Sequence, residues 1–151
     1  MPTEIARRID VVSDAICPWC YIGKRQLERA LALLAPQGLT FDVAWHPFQL
    51  NPDMPAEGVD RLSYRIAKFG SLEKSQQLDA RITETAAGLG LDFHLDRLTR
   101  TPNTVDAHRA IWLAGRHGVQ DAVVEALFNL YFVQGGDLTD TALLTETAAA
   151  A

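Results

Sequence analysis

Apolar residues recur along this chain in two rhythms. The change from one to the other divides it near residue 58. Arg8-Ile9-Asp10-Val11-Val12-Ser13 is short and β-branched, which predicts a strand. Leu39, Phe41, Val43 and Trp45 alternate over Leu39–Phe48 and predict a second strand. Between them Leu27, Leu31 and Leu34 recur at spacings of four and three, so a helix runs from the Cys17 region to Ala35, where Pro36 and Gly38 stop it. Strand, helix and strand with short connections imply a right-handed parallel βαβ unit. Gln49 to Gly58, with Pro52 and Pro55, is a loop.

Beyond the loop the helical period takes over. Helices are predicted over Asp60–Phe69, ending at Gly70, and over Ser71–Leu89, ending at Gly90. Leu91–Thr101 is irregular. Asn103 is the expected N-cap of a helix running to His117, with Asp106 completing a variant capping box. Val119–Gln134 contains the strand-like run Leu130-Tyr131-Phe132-Val133, but Val123, Val124, Leu127, Phe128 and Tyr131 keep helical spacing, so a helix is predicted. Thr139 or Asp140 caps a last helix still running at Ala151. The fold class is α/β: a βαβ half over residues 1–58 and an all-helical block over 59–151. Trp45 and Trp112 are expected in the core, and Arg25, Glu28 and Arg29 on a solvated helix face.

A length of 151 residues is that of one domain. The net charge of −5 argues against broad nucleic-acid binding and against a polybasic membrane surface. Met1 to Arg8 lacks the apolar stretch of a signal peptide, and no run approaches a membrane span, so the cytoplasm is the expected compartment. There, two nearby cysteines suggest redox chemistry or a metal before a structural staple.

Those cysteines stand in Cys17-Pro18-Trp19-Cys20, where the first strand gives way to the first helix. Pro18 suits the first helical turn, because its missing N–H would be unpaired there anyway. The early N–H groups and the positive helix end then favour a Cys17 thiolate. Cys20 lies one turn on, where it can resolve a mixed disulfide formed at Cys17. A bare C-x-x-C is weak evidence; one inside a βαβ unit is strong. Two inert buried cysteines are the bland alternative. No metal site is expected: structural zinc wants four ligands, and there is no second C-x-x-C or closely spaced histidine pair. Trp19 is expected at an exposed rim. Asp14 either tunes the thiol or ends the strand, and His108 and Asn103 read most simply as a packed or polar helix side chain and an N-cap.

Three motifs carry a resemblance. Ser13-Asp14-x-x-Cys17-Pro18-Trp19-Cys20-Tyr21-Ile22-Gly23-Lys24, Trp45-x-Pro47-Phe48-x-Leu50-Asn51-Pro52-Asp53-Met54-Pro55 and Arg100-Thr101-Pro102-Asn103-Thr104-x-x-Ala107-His108-Arg109 resemble the FrnE-like branch of the DsbA-type oxidoreductases, over about residues 8 to 151. The resemblance implies a thioredoxin fold with a helical domain inserted after the first βαβ unit. It makes Asp14, Asn103 and His108 site candidates beside Cys17, Cys20, Pro18 and Trp19. The superfamily also holds 2-hydroxychromene-2-carboxylate isomerases and kappa-class glutathione transferases, which typically act through one Ser or Cys.

The expected activity is dithiol–disulfide exchange with a protein or a small thiol, without metal or organic cofactor. A glutathione-dependent isomerase or transferase, with glutathione as co-substrate, is the alternative enzyme; a non-catalytic interaction module is the third reading. The family's cis-proline loop and its last strands and helix are not found in the sequence. The chain is therefore expected to be the N-terminal part of a longer protein, with an open sheet edge that could pair two copies.

Overall fold

The computed structural model describes residues 7–151. The N-terminal segment read for a targeting signal lies almost wholly outside them. Strand β1 (Arg8–Ser13) leads into helix α1 (Pro18–Leu34), and strand β2 (Asp42–Pro47) returns beside β1. The two strands are parallel, with Arg8 opposite Asp42 and Ser13 opposite Pro47. The predicted βαβ unit is thus present, with β2 shorter at both ends than the Leu39–Phe48 alternation suggested.

A two-residue strand β3 (Val59–Asp60) opens the helical part. Helix α2 (Arg61–Phe69) starts where Asp60 accepts the Ser63 N–H at 2.8 Å, and α3 (Leu72–Ala87) starts where Ser71 accepts from Lys74 N at 3.2 Å. Gly70, at φ 91°, makes the turn between them in a conformation that disfavours a β-carbon. The stretch read as irregular holds a short 3₁₀ turn at Leu95–Arg97 and strand β4 (Arg100–Thr101), antiparallel to β3. Thr101 therefore closes a strand pair, and the next helix opens only after Thr104, one residue beyond the expected cap.

Helices α4 (Val105–Arg116), α5 (Gln120–Phe132) and α6 (Thr141–Ala150) complete the described chain, with Asp140 as the predicted cap of α6. Helix α5 is the centre of the molecule. Val123, Val124, Leu127, Phe128, Leu130, Tyr131 and Phe132 are all buried, so it is apolar nearly all round. That explains the strand-like run in its sequence. Tyr21 of α1 stacks on Phe128 at 4.9 Å and Phe93 stacks on Phe132 at 5.0 Å, while Trp45 of β2 meets Phe128 edge-on at 6.5 Å. The helical part and the βαβ unit thus share one core.

Two expectations fail. Trp112 is 60% exposed, on the outer face of α4 with the Arg116 guanidinium over its ring, because the inner face is taken by Ala107, Ile111 and Ala114. Arg25 and Glu28 do not face solvent freely. They join Lys24, Tyr21 and Glu125 of α5 in an ion cluster: Lys24 Nζ donates to Glu28 at 2.5 Å and to Glu125 at 2.8 Å, Arg25 donates to Glu28 and to Glu125, and Tyr21 OH donates to Glu125 at 2.9 Å. Lys24, at 3% exposure, is one of the most buried charges in the chain. Leu27, Leu31 and Leu34 are only half-buried, so α1 is anchored chiefly through Tyr21, Ile22 and this cluster.

Among the described residues no helix is long and apolar enough to cross a membrane, and no three His, Cys, Asp or Glu side chains are grouped as a metal site would need.

Candidate active site

Cys17 is the N-cap of α1, with φ −88° and ψ 110°, and Pro18 occupies the first helical turn. Extended backbone at the cap turns the chain from strand to helix, and the Cys17 N–H closes a turn onto the Asp14 carbonyl at 3.0 Å. Cys17 thus stands at the N-terminal, positive end of α1, although its side chain makes no cap hydrogen bond.

The two thiols are driven apart in acidity. The Cys17 thiol is pulled down to about 7, first by a hydrogen bond from the Cys20 side chain and then, against the cost of burial, by the N–H groups of Cys20 and Trp19. The Cys20 thiol moves far upward, because its S–H donates to the Cys17 sulfur and it is itself desolvated. The negative charge of Asp14 opposes ionisation at both. Both cysteines are half-buried, so acidity separates them and exposure does not. Trp19 is 47% exposed at the rim.

A cavity of about 260 Å³ opens beside Cys17, lined among others by Trp19, Leu50, Asn51, Tyr64, Arg65 and Lys68. One wall is the loop after β2, and side chains from α2 and from the start of α4 and the turn before it hold it. Tyr64 OH donates to Asn51 Oδ1 at 2.7 Å, Asn103 Nδ2 donates to the Met54 carbonyl at 2.7 Å, and His108 Nε2 lies 2.9 Å from the Phe48 carbonyl. The Asn51 amide nitrogen is buried and unpaired beside the same cavity. Neither Tyr64 nor Lys68 was singled out in the sequence, and nothing local marks them: they reach the site only because α2 folds back over the loop.

Thr104 is the N-cap residue of α4 and makes no side-chain cap bond. Asn103 stands one residue before the N-cap position, yet its side-chain Oδ1 accepts the first helical N–H, that of Val105, at 2.9 Å. Its amide is committed to Met54, which fixes it outside the cap position. Asp106 pairs with Arg109 at 2.8 Å and completes no capping box. His108 is a packed helix side chain, and it meets Asp14.

The family model for the DSBA-like thioredoxin domain matches residues 8–151. The chain belongs to that family. This DSBA-like chain is 30% identical to a probable DsbA oxidoreductase of known structure from Streptomyces coelicolor, superposing with a TM-score of 0.83 over 95% of this chain and 62% of that one. A protein disulfide isomerase candidate from Nitrosomonas europaea shares the fold at 15% identity, with a TM-score of 0.66 over 96% of this chain and 64% of that one. The uncharacterized protein YwbO of Bacillus subtilis (strain 168) is 25% identical over 140 residues, covering 93% of this chain and 64% of YwbO. The DSBA-like chain thus spans under two thirds of the length of each of these relatives.

Proposed function

We propose that this DSBA-like chain exchanges disulfides through Cys17 and Cys20, as a thiol–disulfide oxidoreductase of the FrnE-like branch. The reading is carried by Cys17 standing at the N-cap of α1 with Cys20 one turn inside, and the opposite directions in which the two thiols' acidities move agree with it. At neutral pH the Cys17 thiolate attacks one sulfur of a substrate R–S–S–R, its S–S bond breaks, and RS⁻ leaves. Cys20 gives up its proton as it attacks the mixed disulfide at Cys17, releasing the second RS⁻. The substrate is reduced by two electrons and the Cys17–Cys20 pair is oxidised to a disulfide. Each sulfur departs as a thiolate, so no metal or organic cofactor enters the balance. A protein disulfide or a small disulfide can serve, with Pro18 and Trp19 at the rim. The cytoplasm suits a pair kept as dithiols.

Reduced protein mixed with excess hydroxyethyl disulfide in a single turnover tests this. The wild type should release two thiols per chain, Cys20→Ser should stop at one thiol with a mixed disulfide on Cys17, and Cys17→Ser should release almost none. Equal release by the wild type and Cys17→Ser removes the assignment.

One observation supports a second reading, a glutathione-dependent isomerase or transferase. The cavity beside Cys17 is lined by Arg61, Arg65 and Lys68 against the single carboxylate Asp79, which suits an acidic thiol co-substrate. Arg61 and Arg65 both pair with Asp79, while Lys68 donates to Tyr64 OH at 3.3 Å. Activity that needs glutathione and survives Cys20→Ser favours this reading over the first.

A further inference from the structure

Asp14 is 1% exposed, three residues before Cys17, and its carboxylate has two partners. Oδ2 accepts the Leu50 N–H at 2.8 Å, and Oδ1 lies 3.1 Å from Nε2 of His108, 94 residues away on α4. The same Nε2 is 2.9 Å from the Phe48 carbonyl. Both neighbours of that nitrogen are acceptors, so Nε2 carries the hydrogen and divides it between them. The His108 side chain is itself 10% exposed. A buried carboxylate is costly unless hydrogen bonds spread its charge.

The charge matters because of where it lies. The Asp14 carbonyl accepts the Cys17 N–H, and its carboxylate works against the thiolate that the helix start favours. The charged groups that share the cavity with Cys17 are Arg61, Arg65, Lys68 and Asp79; Arg61 and Arg65 pair with Asp79, and Lys68 donates to Tyr64 OH. Gln49, Leu50 and Asn51 of the facing loop carry no charge.

We propose that His108 is a positioning residue for the dithiol, acting through Asp14: its Nε2–H draws the carboxylate's charge toward α4 and away from Cys17. The inference rests on Cys17 being the reacting thiol of the proposed function. It gives the helical part a direct hold on the acidity of the cysteine pair. The same hydrogen bond holds the Phe48 end of the loop that walls the cavity.

The test is the Cys17 pKa, followed by thiolate absorbance and by iodoacetamide rate against pH, in His108→Ala, His108→Gln, Asp14→Asn and the Asp14→Asn/His108→Ala pair. His108→Ala should raise the Cys17 pKa by about half to one unit, roughly three- to tenfold less thiolate below the pKa. His108→Gln, which keeps an N–H donor, should restore most of the difference. Asp14→Asn should lower the pKa, and in that background His108→Ala should change nothing further. An unchanged or lowered pKa in His108→Ala overturns the proposal, as does the same rise with Asp14 absent. Should His108→Ala fail to fold, an unchanged pKa in Asp14→Asn overturns it alone. Alkylation needs no disulfide substrate, so these outcomes stand apart from any failure of the exchange assay.

Discussion

Lys24 Nζ lies 2.8 Å from Glu125 Oε2, joining the helix that carries the cysteines to the central helix of the core. The two residues are 101 positions apart, and Glu125 also accepts from Arg25 and Tyr21. Hydrogen bonds from Lys24 and Arg25 hold the Glu125 carboxyl below its ordinary range, against the opposing cost of its burial. Glu125→Gln should destabilise the protein by about 1–3 kcal/mol, since it leaves Lys24 buried with fewer partners. A carboxyl with a lowered folded pKa stabilises above its unfolded pKa, about 4.3, and loses that contribution as pH falls through the folded value. The wild-type advantage over Glu125→Gln should therefore be full at pH 6–7 and shrink in strongly acidic solution. Urea titrations at several pH values check this; a constant gap down to about pH 2 contradicts it.

The acidity of Cys17 should govern labelling. Iodoacetamide at pH 7 should modify Cys17 before Cys20 in the reduced protein, with a rate that climbs through about pH 7. Peptide mass mapping at partial reaction decides it. Preferential labelling of Cys20 would reverse the assigned order of attack.

Trp19 is neutral and gives the thiolate no charge assistance. Trp19→His should lower the Cys17 pKa further and make the Cys17–Cys20 disulfide more oxidising, since a stabilised thiolate favours the reduced state. Redox titration against a glutathione buffer measures the potential. A more negative potential in the variant counts against the argument.

Two tryptophans should differ sharply in what they contribute. Trp45 is 4% exposed, and its indole N–H donates to Asp121 at 3.0 Å. Trp45→Ala should cost about 3–5 kcal/mol. Trp112, at 60% exposure, should cost less than about 1 kcal/mol on replacement by Ala. Thermal melts of the two variants compare them, and similar losses would place Trp112 in contact with more of the protein than its exposed face implies.

Gly58 ties the loop of the cavity wall to β3. Its φ is +73°, and a β-carbon there would come within 2.6 Å of the Thr101 carbonyl oxygen. Gly58→Ala should therefore destabilise by more than the roughly 1 kcal/mol of the backbone conformation alone, because backbone must move to admit the methyl. A variant as stable as the wild type would show that this loop has room to shift.

Local features were legible in the pattern of residues. The strand β1, the CPWC turn into α1, the helical spacing of α5, and a cap at Thr139 or Asp140, which proves to be Asp140, follow from period and side-chain chemistry within a few residues. Cys17 and Cys20 were legible for the same reason, since one helical turn separates them. Which side chains meet across the chain emerged only on folding. Folding paired His108 with Asp14 and Glu125 with Lys24, set Asn103 against the loop and turned Trp112 outward. Each depends on how helices from the second half seat against α1 and β2. A polar residue at helical spacing reads alike whether it faces water or a buried partner. The desolvation and hydrogen bonds that distinguish the two arise only when the distant partner arrives.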